Sequence, residues 1–177
     1  MPRIAFVTFG ILREQADHPA VQGFFERSPG VFGAAGASPG QLDHYRGGDD
    51  GYRVSARDCP FGAYATGRFV TPELAGREEQ TLSLWADLES VFAFAYGTMH
   101  AEALRGRTAW FLRPAWPTYV AWWVDDDHWP SLAEANDRLE HLHDHGASAV
   151  AFDFRAPFDR EGRPTSLDRP RVAALRT

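Results

Sequence analysis

The sequence predicts an α+β domain in which helices cover one face of a mostly antiparallel sheet. Strand-like and helix-like segments follow one another along 177 residues without regular βαβ repeats, and no internal repeat is visible. The composition is that of an ordinary globular chain, since 44% of the residues are hydrophobic and 24% are charged. We expect one domain over residues 1–158, followed by an extended tail over 159–177.

Five segments carry the β-branched, aromatic or alternating pattern that is typical of strands. They are residues 3–9, 41–46, 81–85, 117–124 and 149–154. Trp122 and Trp123 are adjacent in the fourth segment, so alternation sends their side chains to opposite faces of the sheet. We expect one of them to lie in the core and the other against a second subunit, which would cover the face that the helices leave open.

Three segments predict helices. Residues 20–36 are helical in pattern but contain a proline and several glycines, which predict an interrupted helix. Residues 87–108 begin with an aspartate N-cap and repeat apolar residues at helical spacing. Ser131 and Glu134 form a capping box at the start of the third helix, 132–145. The last two helices are expected on the same face of the sheet.

A long insertion, residues 47–78, separates the second and third predicted strands. It is rich in glycine, aspartate and arginine, and only residues 64–70 have the pattern of a short strand. Long polar insertions with many glycines are often gating loops. We therefore expect the insertion to border a cavity mouth as a lid, with a surface hairpin as the alternative.

Charge and composition exclude several classes of function. The net charge is −6, and all 18 basic residues are arginine. An acidic chain does not favour nucleic-acid binding, and the absence of lysine excludes a Schiff-base or phosphate-loop lysine. No apolar run approaches the ~18 residues of a membrane span. The single cysteine, Cys59, and an amino terminus without a secretory pattern predict a cytoplasmic protein.

Metal chemistry is not predicted by the spacing of the acidic and histidine residues. The acidic run 125–127 lacks the spaced ligands of a calcium loop. His141 and His145 share a helix face, but no glutamate accompanies them as in His-Glu-x-x-His. Solvated surface charge is the interpretation that both segments favour. We therefore expect no metal and no cofactor-binding motif.

The best candidate for chemistry is the pair Tyr96 and His100. Their i, i+4 spacing places them one turn apart on the same helix face, together with Phe92 and Met99. A histidine beside an apolar pocket can act as a general base near neutral pH, or as an axial ligand of haem iron. A core histidine bonded to the backbone is the alternative. We predict that His100 is the catalytic base and that Tyr96 assists it.

Aromatic residues make up 14% of the chain and suit a pocket for a flat, apolar ligand. We expect Trp85, on the strand before the central helix, to form part of the wall of such a pocket. His44 is the next best candidate for a base if His100 does not serve. The predicted substrate-binding residues are Trp85, His44, Tyr45, Phe92, Met99, Trp110 and Trp122.

Three stretches, 33–46, 83–111 and 119–146, followed by 149–158, resemble the domain-of-unknown-function 3291 family. The shared pattern is a Ser-x-Trp strand, a helix with Phe-x-Tyr and a histidine, then Trp-Phe, Trp-Trp-Val and a Pro-Ser-x-x-Glu-Ala helix start. That family is similar in turn to the antibiotic-biosynthesis-monooxygenase superfamily. The resemblance implies a ferredoxin-like dimeric α+β barrel, a homodimer with a ligand cavity between the sheet and the helices of each subunit.

The resemblance also implies a function. Superfamily members include cofactor-free quinone-forming oxygenases, haem-degrading enzymes, and isomerases or lyases of small molecules. We expect an enzyme of secondary metabolism that acts on a flat, apolar or aromatic, polyketide-like substrate. A histidine would remove an acidic proton, and the anion would cyclise, eliminate a leaving group or react with O₂.

Two alternatives remain at this point. The first is a haem-binding monooxygenase or lyase with His100 as the axial ligand. Haem-degrading relatives also use an asparagine on the first strand, where this chain offers only Thr8. The second alternative is a non-catalytic small-molecule-binding or stress-associated protein.

Overall fold

The centre of the molecule is a four-stranded antiparallel sheet, seen in a computed structural model that describes residues 3–45, 60–97 and 105–176. The strands lie in the order β2-β3-β1-β4. Their bounds are β1 Arg3–Ile11, β2 Gln41–His44, β3 Glu78–Trp85 and β4 Tyr119–Val124. The predicted α+β class with an antiparallel sheet is confirmed.

The two central strands define the faces of the sheet. Thr8 of β1 lies opposite Thr81 of β3 on one side and Tyr119 of β4 on the other. Residues directly opposite in an antiparallel pair share a face, and faces alternate along a strand. We call the face of Ile4, Phe6 and Thr8 the front face, and the face of Ala5, Val7, Phe9 and Ile11 the rear face.

Four named helices accompany the sheet. Their bounds are α1 Gln22–Ala37, α2 Leu88–Ala95, α3 Leu132–His145 and α4 Arg169–Leu175, and residues 105–110 are also helical. The capping box at α3 is present, because the Ser131 hydroxyl accepts the backbone N–H of Glu134. Pro29 lies inside α1 without ending it, so the predicted interruption is wrong. None of the helices in the described ranges is long and apolar enough to cross a membrane.

The helix predicted over 87–108 is shorter in the structure. It ends at Ala95, because the backbone N–H of Gly97 turns back to the carbonyl of Phe94 in a tight turn. A Cβ on Gly97 would lie 3.0 Å from the carbonyl oxygen of Ala93, so the close turn suits glycine. Residues 98–104 lie outside the described residues, and with them His100 and Met99.

The predicted strand over 149–154 is also wrong. Phe152 exchanges two backbone hydrogen bonds with Ala121 of β4 and forms only an isolated bridge. The carboxylate of Asp153 then accepts the N–H groups of Arg155 and Ala156, which turns the chain away from the sheet. Farther along, the tail that we expected to be extended contains α4, which packs against α2.

The helices lie on both faces of the sheet, so the prediction that they share one face is wrong. On the front face α2 packs through Leu88 and Val91 against Ile4 and Trp85. On the rear face α3 packs through Leu132, Ala135 and Leu139 against Val7, Val120 and Trp122. Trp122 fixes this arrangement, because its indole N–H donates to Glu134 of α3 at 2.8 Å.

The rear face is therefore covered by the chain itself. Trp122 is only 1% exposed beneath α3, and Trp123 lies on the front face with its indole N–H bonded to the carbonyl of Phe158. The premise that the helices leave one sheet face open is wrong, whereas contact of Trp123 with a partner stays a prediction. A homodimer stays a proposal, but the uncovered sheet face no longer supports it.

The described part of the insertion completes the rear core. Phe61 is buried there, with Phe69 and Leu74 packed beside it. Asn136 of α3 binds the carbonyl of Ala65 and accepts a hydrogen bond from Gln80. Residues 60–74 are thus a cover for the rear face and not a lid over the front, and residues 64–70 form no strand. Residues 47–59 lie outside the described residues, so the lid expected there stays a prediction.

Candidate functional site

Five polar side chains share the front face, where an apolar surface would be expected beneath helices. Thr8, Thr81, Ser83, His44 and Tyr119 are placed there by the strand register, and all five are half-buried. The hydroxyls of Thr8 and Thr81 are hydrogen-bonded at 2.7 Å. We call these five residues the polar floor. Such a group of partly solvated donors and acceptors on a packed sheet can orient a ligand.

The polar floor arises from simple alternation along β3. Leu82 and Leu84 point to the rear core, while Thr81, Ser83 and Trp85 point to the front. Sequence reasoning missed most of this face, because polar residues at alternate strand positions are ordinarily solvent-exposed. The missed residues are Thr8, Glu79, Thr81, Ser83 and Tyr119.

Aromatic rings border the polar floor on one side. Phe154 is central, with its ring 5.1 Å from Tyr119, 5.2 Å from Phe92 and 5.5 Å from Phe6. Tyr96 packs on Phe92 at 4.7 Å and is 44% exposed. We call these five rings the aromatic wall. They are spaced for stacked and edge-to-face contacts, and the exposed Tyr96 offers a ring surface to a flat ligand.

The phenol of Tyr119 belongs to both the wall and the floor. Burial raises its pKa well above the ordinary range, and the neighbouring phenol of Tyr96 raises it further. A tyrosine with a raised pKa keeps its proton throughout the neutral range. The phenol of Tyr119 therefore remains a hydrogen-bond donor within the polar floor.

This shift predicts a pH dependence of stability. An ordinary tyrosine ionises near pH ~10, so the unfolded chain loses the Tyr119 proton there while the folded protein retains it. The contribution of Tyr119 to the free energy of unfolding is thus complete below this pH and falls as the pH rises above it. We expect urea midpoints to fall above pH ~10, and to fall less steeply in Tyr119→Phe. Identical slopes in the two proteins would contradict the shift.

Trp85 also lies on the front face, and it supports the polar floor to which His44 belongs. Trp85 is buried, stacks on Phe94 at 5.2 Å and donates its indole N–H to the hydroxyl of Ser83 at 2.8 Å. This hydrogen bond fixes the position of the Ser83 hydroxyl in the polar floor. His44 lies with its Nδ1 3.3 Å from the amide nitrogen of Gln41, and its ring is stacked near that of Phe32.

The structure does not bring the predicted site residues together as one set. Trp85, His44, Phe92 and Tyr96 share the front face. Tyr45 and Trp122 belong to the rear core, since each is the strand neighbour of a front-face residue. Trp110 lies in a third cluster, with Leu12 and Val21. The prediction that Tyr45, Trp110 and Trp122 line the same pocket as the front-face residues is therefore wrong.

Two other features lie apart from the polar floor. A groove of about 340 Å³ opens at the far end of β4 from Tyr119. It is lined by Trp123, Val124, Asp125, Ala149, Asp159, Arg160, Glu161 and Gly162. Within residues 3–45, 60–97 and 105–176, no group of three His, Cys, Asp or Glu side chains is placed to hold a metal ion.

The strand order, with α1 after β1 and α2 after β3, defines a ferredoxin-like α+β protein. Residues 3–168 match the family described as "Domain of unknown function (DUF3291)", and the chain belongs to that family. The resemblance inferred from its motifs is thereby confirmed.

Two solved structures from Nitrosomonas europaea are similar to the chain at low identity. One is a protein of unknown function, with 11% identity, a TM-score of 0.46 and coverage of 73% of this chain and 96% of the other. The second is described as a "putative antibiotic biosynthesis monooxygenase", with 10% identity, a TM-score of 0.42 and coverage of 73% and 93%. No curated protein sequence matches the chain significantly.

Proposed function

We propose that the chain is a cofactor-independent enzyme that acts on a flat, largely apolar small molecule held on the front face of the sheet. The reaction begins with removal of an acidic proton by a histidine. The anion then cyclises, eliminates a leaving group or reacts with O₂. The observation that carries this proposal is the polar floor lying beside the aromatic wall on one face of the sheet.

The aromatic wall and the polar floor would have separate tasks. Rings of the wall, with Tyr96 at its exposed side, offer stacking surface to a planar substrate. Hydroxyls of the floor orient its oxygen atoms. Tyr119, whose pKa is raised, remains a donor and can stabilise the negative charge that forms on a substrate oxygen after proton removal.

The base of this proposal is His100, four residues after Tyr96 in the sequence. His44 is the alternative among the described residues, and its environment favours a different task. When the Gln41 amide donates to Nδ1 of His44, the neutral ring carries its proton on Nε2. In this tautomer the Nε2–H of His44 is a donor, which suits orientation of the substrate more than proton removal.

A tricyclic anthrone tests the proposal, because its methylene proton is acidified by the adjacent rings and carbonyl. Loss of that proton and reaction with one O₂ gives the anthraquinone and one water. We expect O₂ uptake with equal anthraquinone formation, above the uncatalysed rate and without added metal or haem. Exchange of the methylene protons with solvent deuterium, without O₂ uptake, would show that the anion forms but is not oxygenated. Binding without any turnover would contradict the enzyme proposal and favour a binding protein.

A further inference from the structure

Two arginines at the ends of α4 lie over one ring of the aromatic wall. The guanidinium carbons of Arg169 and Arg176 are 5.2 and 5.6 Å from the centroid of the Phe92 ring. Arg169 begins α4 and Arg176 follows its last residue, so the two side chains leave the same side of the helix about 10 Å apart along its axis. Their charged ends nevertheless lie beside the same ring.

The carboxylates at the start of α2 are engaged in other contacts. Asp87 forms an ion pair with Arg171, and Glu89 accepts the backbone N–H of Asp168 at 3.1 Å. These two contacts hold α4 against α2, so Arg171 has a structural task. Within the described parts of the chain, neither of the two arginines over the ring has a carboxylate at ion-pair distance.

The charge and the accessibility of the two arginines are both defined. An arginine guanidinium does not lose its proton in proteins, and both side chains are exposed. The chain as a whole carries a net charge of −6 and is unfavourable to anions, so two guanidinium groups on one ring are a local exception. The planar N–H groups of a guanidinium match the two oxygen atoms of a carboxylate.

The ring beneath the arginines continues into the proposed binding face. Phe92 packs on Tyr96 at 4.7 Å, and Tyr96 is 44% exposed. The phenol of Tyr96 neighbours that of Tyr119, which belongs to the polar floor. A planar ligand stacked on Tyr96 would therefore lie next to the polar floor and one ring away from the guanidinium groups.

We propose that Arg169 and Arg176 are substrate-binding residues that hold an anionic group, and that the substrate is a planar aromatic carboxylate. This inference rests on the proposed function, because that function places the rings of the ligand on the front face. It adds the charge of the substrate, which the wall and the floor do not define. The ligand's rings lie on Tyr96, and its carboxylate accepts N–H groups from the guanidiniums.

Three anthraquinones that differ only in charge test the proposal at pH ~7, where carboxylic acids and amines are ionised. They carry a 2-carboxylate, a 2-carboxamide or a 2-aminomethyl group, and calorimetry measures their dissociation constants. Single exposed ion pairs are weak, whereas paired hydrogen bonds between charged groups are stronger. At a salt concentration of about 0.01 M, we expect the carboxylate to bind ~5-fold or more tightly than the amide, and the amine to bind most weakly.

The matched variants are two double replacements, each of which removes two exposed positive charges from aromatic rings. The first combines Arg169→Gln with Arg176→Gln. The control combines Arg27→Gln with Arg160→Gln, whose guanidiniums lie over tryptophan rings outside the aromatic wall. We expect the first variant to reduce the preference for the carboxylate to less than ~2-fold and the control to retain it. Weaker packing of α4 would affect all three compounds alike, so the ratio of affinities isolates the charge.

The outcomes separate this inference from the proposed function. No preference for the carboxylate in the unmodified protein overturns the inference alone, because the amide still reports binding to the rings. A preference that survives in the first variant, or that is lost in the control, overturns it as well. Failure of all three compounds to bind the unmodified protein overturns the proposed function too. The comparison of ligands needs no variant, so it tests the inference even if a variant does not fold.

Discussion

Replacing His100 with glutamine should lower anthrone turnover by about 10²–10⁴-fold, the usual contribution of a general base. Glutamine keeps much of the size and hydrogen bonding of histidine but cannot take up a proton at neutral pH. The variant should fold normally, with an unchanged circular dichroism spectrum. Steady-state O₂ uptake measures the loss, and kcat should fall more than the affinity for the substrate changes.

Two other histidines serve as controls for this variant. His128 lies 2.7 Å from Glu134 beside the rear core, and His143 is paired with Asp144 on α3. Both pairs are distant from the front face. We expect His128→Gln and His143→Gln to keep turnover close to that of the unmodified protein. Full activity of His100→Gln would contradict the assignment, and His44→Gln would then be the next variant to measure.

Replacing Trp122 with alanine should lower the free energy of unfolding by about 3–5 kcal/mol, as for other buried aromatic residues. Its ring is buried between the rear face and α3, and its indole N–H binds Glu134. Burial raises the pKa of Glu134, but hydrogen bonds from His128 and Arg138 outweigh this effect and lower it. The ionised carboxylate of Glu134 is therefore a strong acceptor. Denaturant unfolding of Trp122→Ala measures the decrease in stability.

A milder variant separates stability from activity at this position. Trp122→Phe keeps an aromatic ring in the rear core but loses the hydrogen bond to Glu134, which corresponds to about 1–3 kcal/mol. Because Trp122 faces away from the polar floor, we expect anthrone turnover within about twofold of the original. A loss of tenfold or more in a well-folded Trp122→Phe protein would show that the rear face contributes to the site.

Local patterns in the sequence predicted most of the elements of this fold. The capping box at Ser131 and Glu134 placed α3 at its observed bounds, and alternation placed β1, β3 and β4 within a few residues. These features depend on neighbours in the chain, so they are visible without tertiary structure. The family resemblance was also carried by such local motifs.

The errors concern properties that depend on distant contacts. The face on which α3 packs is set by the turn after β4 and by the bond from Trp122 to Glu134, which no periodicity encodes. The isolated bridge at Phe152 likewise depends on the turn at Asp153. Adjacent residues such as His44 and Tyr45 were assigned to one site although alternation separates them. Applying that rule to the predicted strand 81–85 would have identified Thr81 and Ser83.

The location of a bound ligand tests the central claim most directly. A crystal structure of the protein with 2,6-dihydroxyanthraquinone should show the rings on the front face. They should lie against the aromatic wall, with oxygen atoms within hydrogen-bond distance of the polar floor. A ligand bound only in the groove beside Trp123 and Arg160, or on the rear side near α3, would contradict the account.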